Sequence, residues 1–246
     1  MIRHCILLSS SYSTGRRIGL HYAGDDDQVF QSAVRKVASA YDGKIVSFST
    51  HTIHTDSDSW ESVVKKDPYF DDVALIGSPD EFVELIQKDR YLTGLEVSSY
   101  ILTRVPCTHT RLEKLTYMCY ADYLCDTGTP LFRDRIFAFE YGPVVESVYK
   151  RYRSQDTASK GYPIKEPILD KKDLKMPFES RILFSEDGLK KKGSIDSTLS
   201  RLSGYKTEQM VEMIHRDETP WAVSYDGSLY KEITDGSILS HHRNEI

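Results

Sequence analysis

The 38 residues from Leu112 to Tyr149, LEKLTYMCYADYLCDTGTPLFRDRIFAFEYGPVVESVY, constrain the fold more than any other stretch of this chain. Thr110 and Glu113 have the spacing of a capping box, ahead of an apolar period at Leu112, Leu115, Thr116, Cys119, Tyr120 and Tyr123. Together these predict a helix. Gly128 stands where a left-handed C-cap belongs, and Pro130 prevents continuation. A short extended run, Ile136 to Phe139, comes next. Gly142-Pro143 then reads as a second helix start, since proline at the first helical position has no amide to waste. Val144, Val145, Val148, Tyr149 and Tyr152 supply that helix with an apolar face.

At 246 residues, 39% hydrophobic and 28% charged, the chain has the composition of a soluble globular protein with room for one large or two small domains. No apolar run reaches the roughly 18 residues of a membrane helix. The start, MIRHCILLSS, turns polar too soon for a secretory signal, so a cytoplasmic protein is expected. A net charge of −5 disfavours a general nucleic-acid binder. Cys5, Cys107, Cys119 and Cys125 match neither a disulfide framework nor a zinc or redox spacing, and read as buried free thiols.

The two halves carry different patterns. In residues 1–92, strands at His4–Ser9, Ile18–Tyr22, Lys44–Ser49 and 73–77 alternate with helices. One helix follows Asp25-Asp26-Asp27, carries Val29, Phe30, Ala33, Val34, Val37 and Tyr41, and ends at Asp42-Gly43. Another is opened by Ser78-Pro79-Asp80-Glu81, an N-cap serine with proline at the next position. This predicts a small α/β module with a partly parallel sheet. Leu92-Thr93-Gly94 reads as a hinge. Residues 95–225 are expected to be mainly helical, beginning with a helix over Glu96–Thr103. Between Lys150 and Lys192 the chain is basic, with 12 Lys or Arg against 7 Asp or Glu. Interspersed acids make this a solvated linker in preference to a phosphate-binding surface. Arg181–Phe184 reads as a short strand, Ser194 and Thr207 as caps of two further helices, and the last 20 residues as a lightly packed tail.

The sequence offers little catalytic chemistry. His51, His54, Asp56 and Asp58 have tolerable metal-ligand spacing, but HTIHTDSDS reads better as a polar loop, and no metal is assigned. Ser9-Ser10-Ser11 and Gly15 lack the lysine and spacing of a phosphate loop and read as a strand–strand connection. There is no GxSxG elbow, and Cys107 with His109 belongs to a helix entry. His215 fits the end of a helix, where an imidazolium suits the dipole. No catalytic residue, cofactor or enzymatic activity is expected. The aromatics between Tyr117 and Trp221 are instead the residue types that protein interfaces favour.

These residues resemble a known family. Leu115-Thr116-Tyr117 leading to Tyr123-Leu124, then Gly128-x-Pro130-Leu131-Phe132, Phe139-Glu140-Tyr141-Gly142-Pro143-Val144-Val145 and Tyr149 are similar to the core of the Panacea (SocA-like) antitoxin domain. Leu199 to Gly204, Thr207, Met210 and Ile214-His215-x-Asp217-x-x-Pro220-Trp221 resemble its closing helix and "TH…PW" element, with Ile214 in place of the common threonine. Ile233 to Leu239 resembles its last short helix. The resemblance covers about 95–240, and residues 1–92 resemble no named family. It implies a mainly helical Panacea domain, which with the small α/β module before it makes an α+β protein. It also implies an antitoxin, without catalytic residues, that neutralises a cognate toxin protein by direct binding. Alternatives are an adaptor delivering a toxin to an ATP-dependent protease, or a phage or prophage-borne regulator of host defence. The expected contact surface is the turn Glu140, Tyr141, Gly142 and Pro143, flanked by Phe132, Tyr149, His215, Pro220 and Trp221. Oligomeric state is left open.

Overall fold

The computed structural model describes residues 1–12, 14–40, 48–153, 178–228 and 230–246. They form two compact units, divided in the chain between Arg90 and Tyr91. The fold class is α+β.

The first unit holds β1 (Ile2–Ser11), β2 (Arg16–Ala23), α1 (Asp27–Ser39), β3 (Ser49–Thr55), α2 (Trp60–Lys66), β4 (Val73–Leu75) and α3 (Pro79–Asp89). Its four-stranded sheet has the order β3-β1-β2-β4. β1 is antiparallel to both neighbours, and β4 runs parallel to β2. β1 reads as an unbroken apolar run because helices cover both of its faces. Cys5 and Leu7 pack with Phe30 and Val37 of α1 and with Phe82 and Ile86 of α3. Ile6 and Leu8 pack on the opposite face with Val63 and Phe70. Ser78 caps α3 as expected, accepting from the Glu81 amide, and Pro79 is its first residue. Of the expected strand over Lys44–Ser49, Ser49 opens β3, and 44–47 lie outside the described residues. So do Tyr41 and the Asp42-Gly43 helix end. His51 and His54, expected in a loop, are strand residues of β3.

The second unit comprises α4 (Gly94–Arg104), α5 (His109–Thr127), β5 (Ile136–Phe139), β6 (Gly142–Val145), α6 (Glu146–Tyr152), α7 (Phe178–Leu183), α8 (Gly188–Arg201), α9 (Thr207–Ile214), α10 (Pro220–Ser224), β7 (Lys231–Glu232) and α11 (Asp235–His241). α5 is the axis of this unit, buried without a break from Leu112 to Ala121. Its N-cap is Thr108, which accepts from the Arg111 amide, so Thr110 lies inside the helix. Glu113 is therefore not a capping-box partner. Gly128 ends α5 at φ 69°, the left-handed cap its position implied. Leu92, read as part of a hinge, is buried in this core, while Thr93 caps α4.

Four further expectations are corrected. Gly142-Pro143 opens a strand, not a helix, and α6 begins only at Glu146. Arg181 and Ile182 belong to helix α7, where burial of both outweighs the β-branched preference. α8 begins six residues before Ser194, at Gly188, while Thr207 is the first residue of α9, not its cap. The last 20 residues are packed: β7 extends the β6-β5 hairpin into a three-stranded sheet, and Ile233 and Ile238 enter the core. Of the basic stretch, 154–177 lie outside the described residues.

Gly188 shows how tightly α7 and α8 meet. A Cβ there would stand 2.2 Å from the Leu183 carbonyl oxygen and 2.5 Å from that of Ile182. Backbone cannot yield as a flexible side chain does. Gly188→Ala is expected to cost about 3 kcal/mol and to lower the thermal midpoint by several degrees in calorimetry. Unchanged melting would mean that the two helices separate freely.

Candidate functional site

β5 and β6 pair antiparallel with Phe139 opposite Gly142, leaving Glu140 and Tyr141 as a two-residue turn. Gly142 closes that turn at φ 98°, a conformation that side chains with a Cβ rarely adopt. The turn carries Tyr141 into solvent, 70% exposed.

β6 lies at the sheet edge, so the Pro143 carbonyl and the Val145 amide point away from β5. Two consecutive residues of α5 take their place in the ladder. Glu113 Oε2 accepts from the Val145 amide at 2.8 Å, and Lys114 Nζ donates to the Pro143 carbonyl at 2.9 Å. Both side chains are buried. Burial raises the Glu113 carboxyl above its ordinary range despite hydrogen bonds from His109 and Val145. Burial lowers the Lys114 amine to about 8, with Glu113 opposing the shift. An acidic and a basic side chain thus do for this edge what a further strand would do.

Aromatic rings brace the base of the turn. Trp221 Nε1 donates to the Phe139 carbonyl at 2.7 Å. The Trp221 ring stacks on Tyr225, with centroids 4.8 Å apart, and meets His215 edge-on at 3.8 Å. His215 is the C-cap of α9, as its sequence position implied. Its Nδ1 contacts the Val211 carbonyl at 2.7 Å and its Nε2 the Glu140 carbonyl at 3.2 Å, tying helix end to turn. Phe139 meets Tyr149 and Tyr230 edge-on at 5.2 and 5.3 Å. Tyr230 and Val223 are themselves more than half exposed.

The structure therefore gathers Glu140, Tyr141, Gly142, Pro143, Tyr149, His215 and Trp221 at one place. Gly142, Pro143 and Pro220 are buried and shape backbone, whereas Tyr141 and Glu140 are exposed. Phe132 is not part of this surface: it is buried against Tyr120, centroids 4.6 Å apart. Sequence reasoning missed Glu113, Lys114, Tyr225 and Tyr230. The Glu113-Lys114 pair carried a signal, because charges set between the apolar Leu112 and Leu115 must find partners when the helix is buried.

Residue 112–222 of the chain match the family model described as antitoxin SocA-like, Panacea domain. The described residues of that stretch all lie in the second unit. The family is the one whose motifs the chain resembles, and it suggests an antitoxin-like role. The match begins at the buried face of α5 and ends one residue beyond Trp221, so it takes in the hairpin and its turn but not Val223, Tyr225 or Tyr230. Searches of curated proteins and of solved structures return no match.

Elsewhere, the candidate chemistry of the sequence takes structural positions. His51 packs edge-on against Phe70. Asp56 and Asp58 follow β3 in a bend. Among the described residues no group of three or more His, Cys, Asp or Glu could hold a metal ion. His4 is buried, with Nδ1 2.8 Å from His21 Nε2 and Nε2 2.9 Å from the Ser57 carbonyl, which joins β1, β2 and the bend after β3. Ser9-Ser10-Ser11 end β1, and Gly15 lies in the turn to β2 at φ 65°. Cys107 is buried and its thiol pushed up to about 12, far from a reactive thiolate. Cys125, expected to be buried, is exposed. No described helix is long and apolar enough to cross a membrane.

Proposed function

We propose that this protein is an antitoxin that neutralises a cognate toxin protein by direct binding, with no catalytic step of its own. The observation that carries the reading is the Panacea match, which encloses a turn held rigidly from beneath and exposed at its tip. Tyr141, Glu140, Trp221, Tyr225, Tyr230 and Val223 would form the contact. A tyrosine on a braced turn costs little backbone freedom on binding and offers both ring area and a hydroxyl. Such residues dominate interface energies.

Co-expression with the product of the adjacent gene, followed by pull-down and size-exclusion, tests the proposal. A stoichiometric complex with restored growth supports neutralisation by binding. Restored growth with disappearance of the partner protein would favour delivery to a protease instead. No complex and no rescue would sink the reading for that gene pair. Given a complex, Tyr141→Ala should weaken it by about 2 kcal/mol, roughly 30-fold, measured by calorimetric titration. Its melting temperature should stay unchanged, since the ring supports little in the free protein.

A further inference from the structure

We propose that Lys114 is a positioning residue for the Tyr141 turn, acting through the Pro143 carbonyl; its importance for partner binding rests on the function proposed above. Lys114 is only 2% exposed, and its Nζ donates to Pro143 at 2.9 Å. Its stem runs directly under the residue that follows Tyr141. A Cβ on Gly142 would come within 2.9 Å of Lys114 Cε and 3.1 Å of Nζ. Methionine would fill the same volume without the cost of taking an ammonium out of water. What methionine lacks is a donor for the carbonyl on the free edge of β6. Pro143 has no amide, so of this residue's two backbone hydrogen-bonding groups only the carbonyl remains, and Lys114 holds it.

The same position makes the hold sensitive to pH. Burial lowers the amine to about 8, against the opposing charge of Glu113. Below that value the bond is charge-assisted, and above it a neutral amine donates more weakly. The titratable groups on the elements packed around Lys114 are few. On α5, Glu113 accepts from His109 and Val145. Glu140 and Tyr141 lie in the turn, and His215 at the end of α9 contacts the Glu140 carbonyl. The Lys114 side-chain signal must therefore be followed directly, so that its midpoint is separated from theirs.

The test uses the full chain labelled for NMR, with no partner present. Signals of the Lys114 side chain and of the Tyr141 and Gly142 amides are followed from pH about 6 to 10, bracketing ordinary and depressed lysine values. The expected result is a midpoint near 8 shared by the side chain and both turn amides. In Lys114→Met that midpoint should vanish from the turn, and the Gly142 amide, in the residue paired with Phe139, should exchange with solvent at least about tenfold faster at neutral pH. Turn amides that ignore the Lys114 titration, or a Gly142 exchange rate unchanged in the variant, would overturn the proposal and leave Lys114 as filling. Should the variant fail to fold, the titration of the unaltered protein decides alone. Because no partner enters the experiment, failure of the antitoxin reading would leave this result standing.

Discussion

Replacing His242 with alanine is expected to release the segment after Thr234 from α5 and to lower stability by about 3–5 kcal/mol. His242 is buried between two carboxylates. Its Nε2 is 2.8 Å from Asp122 Oδ1 and its Nδ1 2.6 Å from Glu245 Oε2. Asp122 also accepts from Thr198 and Arg201 of α8, and Tyr117 donates to Glu245. Burial alone would lower the imidazole, but the hydrogen bonds and charges of Asp122 and Glu245 raise it to about 9. Alanine would leave two carboxylates facing each other in a dry site. Denaturant unfolding gives the loss, and hydrogen exchange at α11 shows where it falls. A loss below about 1 kcal/mol would mean that Ile233 and Ile238 hold the segment without the ion network.

The sign of the pH dependence follows from the raised value. A group whose folded pKa exceeds its unfolded one stabilises fully below the unfolded value. For His242 that contribution is present below about 6.5 and is lost as pH rises through about 9. Its size is about 3 kcal/mol by the usual conversion. Lys114 works in the opposite sense. Its amine, lowered from 10.5 to about 8, makes the folded state gain stability as pH rises between those values. The two contributions oppose each other on the alkaline side, so the unaltered protein should show a shallow curve. The difference between it and His242→Ala isolates the histidine, and should shrink steadily above pH about 7. A difference that stays constant to pH about 10 would contradict the buried imidazolium.

Glu113→Ala should be comparably severe, about 3–5 kcal/mol, because it strands the Val145 amide and His109 and opens a cavity inside α5's packing. Glu113→Gln keeps an acceptor for Val145 and should cost about 1 kcal/mol. Equal losses in the two variants would mean that the charge, not the acceptor, holds the edge of β6. Thermal unfolding of both variants separates these outcomes.

Local signals in the chain were reliable where backbone chemistry alone decides. Ser78-Pro79 opens α3, and Gly128 closes α5, because an N-cap hydroxyl, an amide-free first position and a left-handed cap act within one helical turn. The apolar run of β1 and the extended run over Ile136–Phe139 were legible for the same reason. Of the expected contact turn, Glu140 and Tyr141 are exposed, yet the backbone that follows them differs from the expectation. Gly142-Pro143 carries the marks of a helix start, and the same two residues serve a hairpin once Gly142 takes φ 98° and Glu113 and Lys114 wait beside it. Arg181 and Ile182 follow the helix their burial requires. Phe132 carried no mark of being buried against Tyr120, since an aromatic suits a core and an interface equally.

By itself the sequence determined the two-part α+β organisation, the aromatic α5 with its glycine stop, and the antitoxin-family motifs between Leu112 and Trp221. Those features rest on periodicity, caps and turn residues, whose energies act between near neighbours in the chain. Only the tertiary structure decided that Glu113 and Lys114 complete a sheet edge about 30 residues away, that His242 is clamped by Asp122, and that the final segment is core. The first two join polar groups far apart in sequence. A buried charge must have a partner, but nothing local says which one.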